Sequence, residues 1–119
     1  MATYKNLFID QGSDFNVTID LAPIVGSLVL TNYTAKGQIR KTYDSSSKTD
    51  FLADVNSFGQ TLVCNLTAAK TAKLKPGRYV YELEILSPDT PSITTRVIEG
   101  QVEVTPSVFH GRGAGYKSI

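Results

Sequence analysis

The sequence predicts an all-β protein in which two sheets pack face to face. Three observations carry that reading. Apolar residues recur at every second position through most of the chain, turn-forming residues break these runs about every 8–12 residues, and one short stretch alone has helical spacing. About seven short strands in that pattern, with the helical turn placed where a chain crosses between sheets, specify a β-sandwich of immunoglobulin or fibronectin III type. A chain of 119 residues buries one core rather than two.

Leu7 and Ile9 alternate after Tyr4, and Phe15, Val17, Ile19 and Leu21 alternate with Asn16, Thr18 and Asp20. Gln11-Gly12-Ser13 supplies turn chemistry between the two segments, which are therefore expected to adjoin. In the next strand Tyr33, Ala35, Gly37 and Ile39 share one face, while Thr34, Lys36, Gln38 and Arg40 make the other polar and basic. The loop Tyr43 to Lys48 leads to a segment in which Phe51, Ala53 and Val55 alternate with Asp50, Leu52 and Asp54. Asn56-Ser57-Phe58-Gly59 turns the chain into a strand whose Leu62, Cys64 and Leu66 point inward.

Thr67 then caps one or two helical turns in the Ala-rich stretch 68–74, and Pro76-Gly77 stops them. Tyr79, Tyr81, Leu83 and Ile85 alternate with Val80, Glu82 and Glu84 in the clearest strand of the chain, followed by the turn Ser87-Pro88-Asp89-Thr90-Pro91. The final strand region changes phase between Ile93 and Thr105, and Gly100 is the expected site of a bulge that causes it. Leu74, Pro76, Gly77, Tyr79 and Tyr81 resemble the corner of fibronectin type III domains, in which a tyrosine hydroxyl pins the entry to the penultimate strand; the spacing is not the usual one, so either Tyr79 or Tyr81 is the expected pin. Beyond Pro106 the composition shifts, so residues 1–106 are expected to form the sandwich and 107–119 a flexible arm that orders on binding.

Charge and composition exclude several functions. Twelve Lys+Arg against eleven Asp+Glu leave a net charge of +1, too little field to gather nucleic acid or anionic lipid. One histidine and one cysteine cannot supply a metal site of three or four such ligands. No signal-peptide pattern follows Met1, and no apolar run is long enough to cross a bilayer, so the chain is expected to fold in a cytoplasm without membrane contact.

The candidate chemistry is thin. His110 is the single imidazole and lies in the glycine-rich arm, poorly held for proton transfer. Cys64 alternates with Leu62 and Leu66 as a small buried hydrophobe. Glu82 and Glu84 share an outer face and are expected to pair with Lys36 and Arg40 across strands rather than to act as catalytic or calcium-binding carboxylates. Gly111-Arg112-Gly113-Ala114-Gly115 lacks the Gly-Lys-Ser/Thr ending of a phosphate loop. No catalytic, cofactor or metal residues are assigned, and the chain is expected not to be an enzyme.

Four runs carry a resemblance. They are Ile9-Asp10-Gln11-Gly12-Ser13-Asp14-Phe15, the stretch Leu30 to Tyr43, the stretch Leu74 to Ile85, and Arg96 to Pro106. They resemble small immunoglobulin-like virion structural proteins of tailed bacteriophages, of the cyanophage type, and the resemblance covers roughly residues 4 to 106. The resemblance implies a non-enzymatic virion protein, assembled in the host cytoplasm, that binds other virion subunits in many symmetric copies. Capsid decoration is the first expectation and a tail or baseplate adaptor, similar to the amino-terminal domain of upper baseplate proteins, the second.

The chain departs from the family's pattern after Pro106. Val108, Phe109, His110, Arg112, Tyr116 and Ile119 are the expected partner-binding residues of the arm, its apolar anchors separated by glycines. A reading of another class is a carbohydrate-binding module, with Tyr43 or Tyr33 beside Asp44-Ser45-Ser46-Ser47 stacking on a sugar ring.

Overall fold

The computed structural model describes residues 3–26 and 29–106. Nine strand segments and two short helices follow one another as β1 (Thr3–Tyr4), β2 (Leu7–Asp10), β3 (Phe15–Asp20), α1 (Ala22–Val25), β4 (Thr34–Arg40), β5 (Lys48–Asp50), β6 (Leu52–Asn56), β7 (Thr61–Leu66), α2 (Ala68–Ala72), β8 (Gly77–Leu86) and β9 (Thr94–Thr105). They form two sheets. One has the order β1-β9-β8-β4-β5, with β2 also paired to β9, and the other is β3-β7-β6.

This is the pairing of an immunoglobulin-like sandwich, six strand segments against three, with the first strand carried across to lie parallel with the last. The interior follows the period of two seen in the sequence: Ile9, Ile19, Ile39, Leu62, Leu66, Leu83, Ile85 and Val102 are among the side chains closed off between the sheets.

Four features depart from the sequence expectation. The segments before and after Gln11-Gly12-Ser13 do not pair with each other; β2 lies on β9 and β3 on β7, in opposite sheets. What joins them is the turn, where Gly12 has φ 83° and Thr71 Oγ1 accepts from the Gly12 amide and donates to the Ser13 carbonyl. The expected single strand around Phe51 is two. β5 pairs with β4, β6 pairs with β7, and the chain changes sheets at Phe51, whose ring sits in the core against Phe15 and Tyr81.

A second helical turn, α1, adds to the one expected. It follows β3 directly, with a proline in its first turn and the Ala22 amide bonded to Asp20 Oδ1.

The phase change in the last strand has a different site from the one expected. Leu83 stands opposite Ile98 and Glu84 opposite Arg96, so Val97 is the extra residue and both Val97 and Ile98 are buried. Gly100 lies in regular pairing with Tyr81, and its missing side chain serves another purpose. A Cβ there would collide with the carbonyl of Lys5, which crosses over it between β1 and β2.

The expected corner is present, and Tyr79 is its pin. Its hydroxyl donates to the Lys75 carbonyl at 2.7 Å, four residues back. Tyr81 instead donates to the Lys5 carbonyl at 2.6 Å and holds the first strand to the sheet. Leu74 is buried, and its carbonyl accepts from Gln11 Nε2 at 2.9 Å. Gly77 has φ 139°, which favours glycine at the point where β8 leaves the turn. The helix before the corner is capped twice, with Thr67 Oγ1 accepting from the Lys70 amide and Asp14 Oδ1 from the Ala68 amide.

Candidate functional surfaces

Among the described residues, three surfaces of the sandwich are open to a partner. The first is the outer face of the larger sheet. Strand register places Lys36, Glu84 and Arg96 in one cross-strand row and Asp50, Gln38, Glu82 and Glu99 in the next. Lys36 pairs with Glu84 at 3.7 Å as expected, but Glu82 pairs with Arg96 at 2.8 Å rather than with Arg40. Arg40 turns toward its own loop, donating from Nη1 to the Ser45 carbonyl at 2.7 Å and from Nη2 to Gln38 Oε1. That tether fixes the loop carrying Tyr43, which is 67% exposed and lines a groove of about 220 Å³ together with Gln38, Val80 and Glu82.

The second surface is the edge formed by β1 and β2. Among the described residues both pair only with β9, which leaves their other side without a strand neighbour. Tyr4 and Phe8, at 60% and 67% exposure, flank this edge on its outer face.

The third is the end of the sandwich where β3, β6 and β8 finish and β4, β7 and β9 begin, since Asp20 pairs with Thr61, Asn56 with Thr61 and Leu86 with both Thr34 and Thr94. Val29, Phe58 and Ile93 project from the three connections there.

The thiol of Cys64 is fully enclosed, and burial pushes its pKa up to about 12, so it is held as the unreactive thiol. Among the described residues no group of three or more His, Cys, Asp or Glu could hold a metal ion, and no helix is long and apolar enough to cross a membrane. The arm residues Val108, Phe109, His110, Arg112, Tyr116 and Ile119 lie outside the described residues. The sequence reading did not single out Tyr4, Phe8, Val29, Phe58 or Ile93 as contact residues. Each falls in an ordinary strand or turn pattern, and only the topology gathers them.

No family model matches the chain, and no curated protein matches it. Among solved structures it is similar to an internalin-like protein of Listeria monocytogenes, with a TM-score of 0.41 and 19% identity over 89% of this chain. The chain spans 28% of that structure's length.

Proposed function

We propose that this chain is a non-enzymatic structural protein of a tailed-phage virion that binds other virion subunits, with capsid decoration ahead of a tail or baseplate adaptor. The observation that carries the binding role is the open edge of β1 and β2, flanked by exposed Tyr4 and Phe8. An unpaired strand edge offers a row of backbone donors and acceptors to an extended segment of a partner, and neighbouring aromatic rings add buried area. The phage assignment is supported by the resemblance of the four runs between Ile9 and Pro106. Val108, Phe109, His110, Arg112, Tyr116 and Ile119 of the arm are proposed to bind the neighbouring subunit as well.

Electron microscopy of purified particles labelled with an antibody against the chain tests the reading. Label over the head shell is the expected outcome; label at the tail end selects the adaptor role, and unlabelled particles reject a virion role altogether. Removing residues 107–119 is expected to leave a folded domain that no longer enters particles.

A second reading is favoured by the tethered Tyr43 loop. An exposed ring lining a groove of hydrogen-bonding side chains is suited to stacking on a sugar. Binding of the isolated protein on a glycan array, lost in Tyr43→Ala, would select carbohydrate adhesion over assembly.

A further inference from the structure

A strand edge that pairs with nothing is a liability as well as a docking site, because its free N–H and C=O groups template aggregation, and folded proteins blunt or cover such edges. The edge of β2 is not blunted. Leu7-Phe8-Ile9-Asp10 holds no proline and no lysine, and Phe8 stands beside the edge 67% exposed. The Lys5 amide bonds to the Glu99 carbonyl and the Gln11 amide to the Thr105 carbonyl, so the alternation of an extended strand turns the Phe8 and Asp10 amides to the free side. Among the described residues no strand receives them. A groove of about 200 Å³ lined in part by Phe8, Arg78, Gln101 and Glu103 adjoins the edge and has room for a side chain of an added strand.

Connectivity supplies the occupant. β9, the strand on which β2 lies, ends at Thr105, directly opposite Asp10 at the end of β2. The Thr105 hydroxyl donates to Asp10 Oδ1 at 2.8 Å and fixes this exit point. Pro106 has no N–H with which to continue the pairing, and residues 107–119 follow from there.

The reach is sufficient. The free side of β2 is two strand spacings from β9, about 10 Å. The chain from Thr105 to Phe109 spans up to about 13 Å, enough to bow over the end of β2. From Phe109 to Ile119 it extends about 33 Å, whereas the edge from Asp10 back to Thr3 needs about 23 Å. Gly111, Gly113 and Gly115 alternate with Arg112, Ala114 and Tyr116, a period of two that leaves one side of a strand bare and suits close approach to another backbone. A segment tethered at this point is present beside the edge at an effective concentration in the millimolar range, ahead of any partner in dilute solution.

We propose that residues 107–119 fold back along the free side of β2 and close this edge as an antiparallel strand of the same chain. The direction follows from the topology: β2 runs parallel with β9, and a segment returning from the end of β9 runs against both. Assembly then becomes an exchange, in which the arm moves to a neighbouring subunit and the edge it leaves takes an extended segment in its place. That consequence rests on the binding role proposed above; closure of the edge in the isolated chain does not.

Residue-resolved amide hydrogen exchange of the full chain tests the proposal. The Phe8 and Asp10 amides are expected to exchange at least about tenfold more slowly than in an unfolded chain. Their protection is expected to be equal at about 20 μM and about 500 μM, as a contact within one chain requires. Phe109→Pro and His110→Pro made together remove two successive donors, one from each side of an extended segment. This variant is expected to quicken Phe8 and Asp10 about tenfold while the Leu7 and Ile9 amides, which face β9, keep their rates and report an intact fold.

Phe8 and Asp10 amides that exchange at the unfolded-chain rate in the full chain overturn the proposal, as does protection that survives the double proline substitution. Protection that grows with concentration assigns the edge to a second copy and likewise overturns it. So does arm-dependent protection found on the edge strand β3 instead. Labelling of particles decides the virion reading separately, because a chain absent from particles can still close its own edge and a chain present in them can lack that closure.

Discussion

The hydroxyl of Tyr81 reaches 2.6 Å to the carbonyl of Lys5, seventy-six residues earlier in the chain, and that bond fixes where the first strand lies. The same carbonyl passes directly over Gly100 on β9. One backbone oxygen is thus held from below by a tyrosine and admitted by a glycine, and the open edge formed by β1 and β2 depends on both.

Gly100→Ala is expected to destabilise the fold by about 2–3 kcal/mol, because the added methyl meets rigid backbone that cannot rotate away. Gly37→Ala is expected to cost less, about 1 kcal/mol. Its methyl meets chiefly the tip of the Leu83 side chain, which has other rotamers. Urea midpoints of the two variants, compared at equal slope, check the order.

The two tyrosines of the corner region separate by substitution. Tyr79→Phe removes a hydrogen bond at a half-exposed site and keeps the ring beneath Lys41 Nζ, 4.9 Å from its centre, so a loss of about 1 kcal/mol is expected. Tyr81→Phe strands the Lys5 carbonyl in a part-buried place and is expected to cost about 1–3 kcal/mol. Amide exchange at Lys5, whose N–H bonds to the Glu99 carbonyl, is expected to quicken in Tyr81→Phe alone.

Cys64 is expected to resist a thiol-specific disulfide reagent at pH 8 in the native protein and to react at once on unfolding. Its pKa rises from 9.0 to about 12 on folding, so the folded state favours the protonated thiol. The corresponding stability is fully present below pH 9 and is lost as pH climbs toward 12. Alkaline unfolding is therefore expected to be shallower over that window in Cys64→Ala than in the parent, which circular dichroism against pH measures.

Arg96→Ala is expected to change stability by less than about 1 kcal/mol, although Arg96 pairs with both Glu82 and Glu99. All three side chains stay substantially in water, where an ion pair gains little over the hydration it replaces. A urea titration reads the difference.

Much of the fold was legible in the sequence because burial on one face of a strand imposes a period of two. Leu62, Cys64 and Leu66, and likewise Tyr81, Leu83 and Ile85, are buried as their spacing requires. The helical turn after Thr67 and the turn at Asn56 were legible for a similar reason, since capping and turn chemistry act within a few residues. The candidate surfaces were far less legible. Tyr43 was visible beside its serine-rich loop, but the Arg40 bond that fixes the loop was not, and the expected Arg40–carboxylate pairing misread where that side chain turns.

The sequence by itself determined an all-β sandwich, its inward residues, its helical turn and its tyrosine corner, because each follows from local periodicity or from contacts close along the chain. Tertiary structure alone decided that β2 and β3 enter opposite sheets, that Phe51 marks a change of sheet, that the bulge falls at Val97 rather than Gly100, and that Val29, Phe58 and Ile93 share one end. These are choices of partner between segments distant in sequence. Alternation states which face of a strand is buried, but not which neighbour buries it.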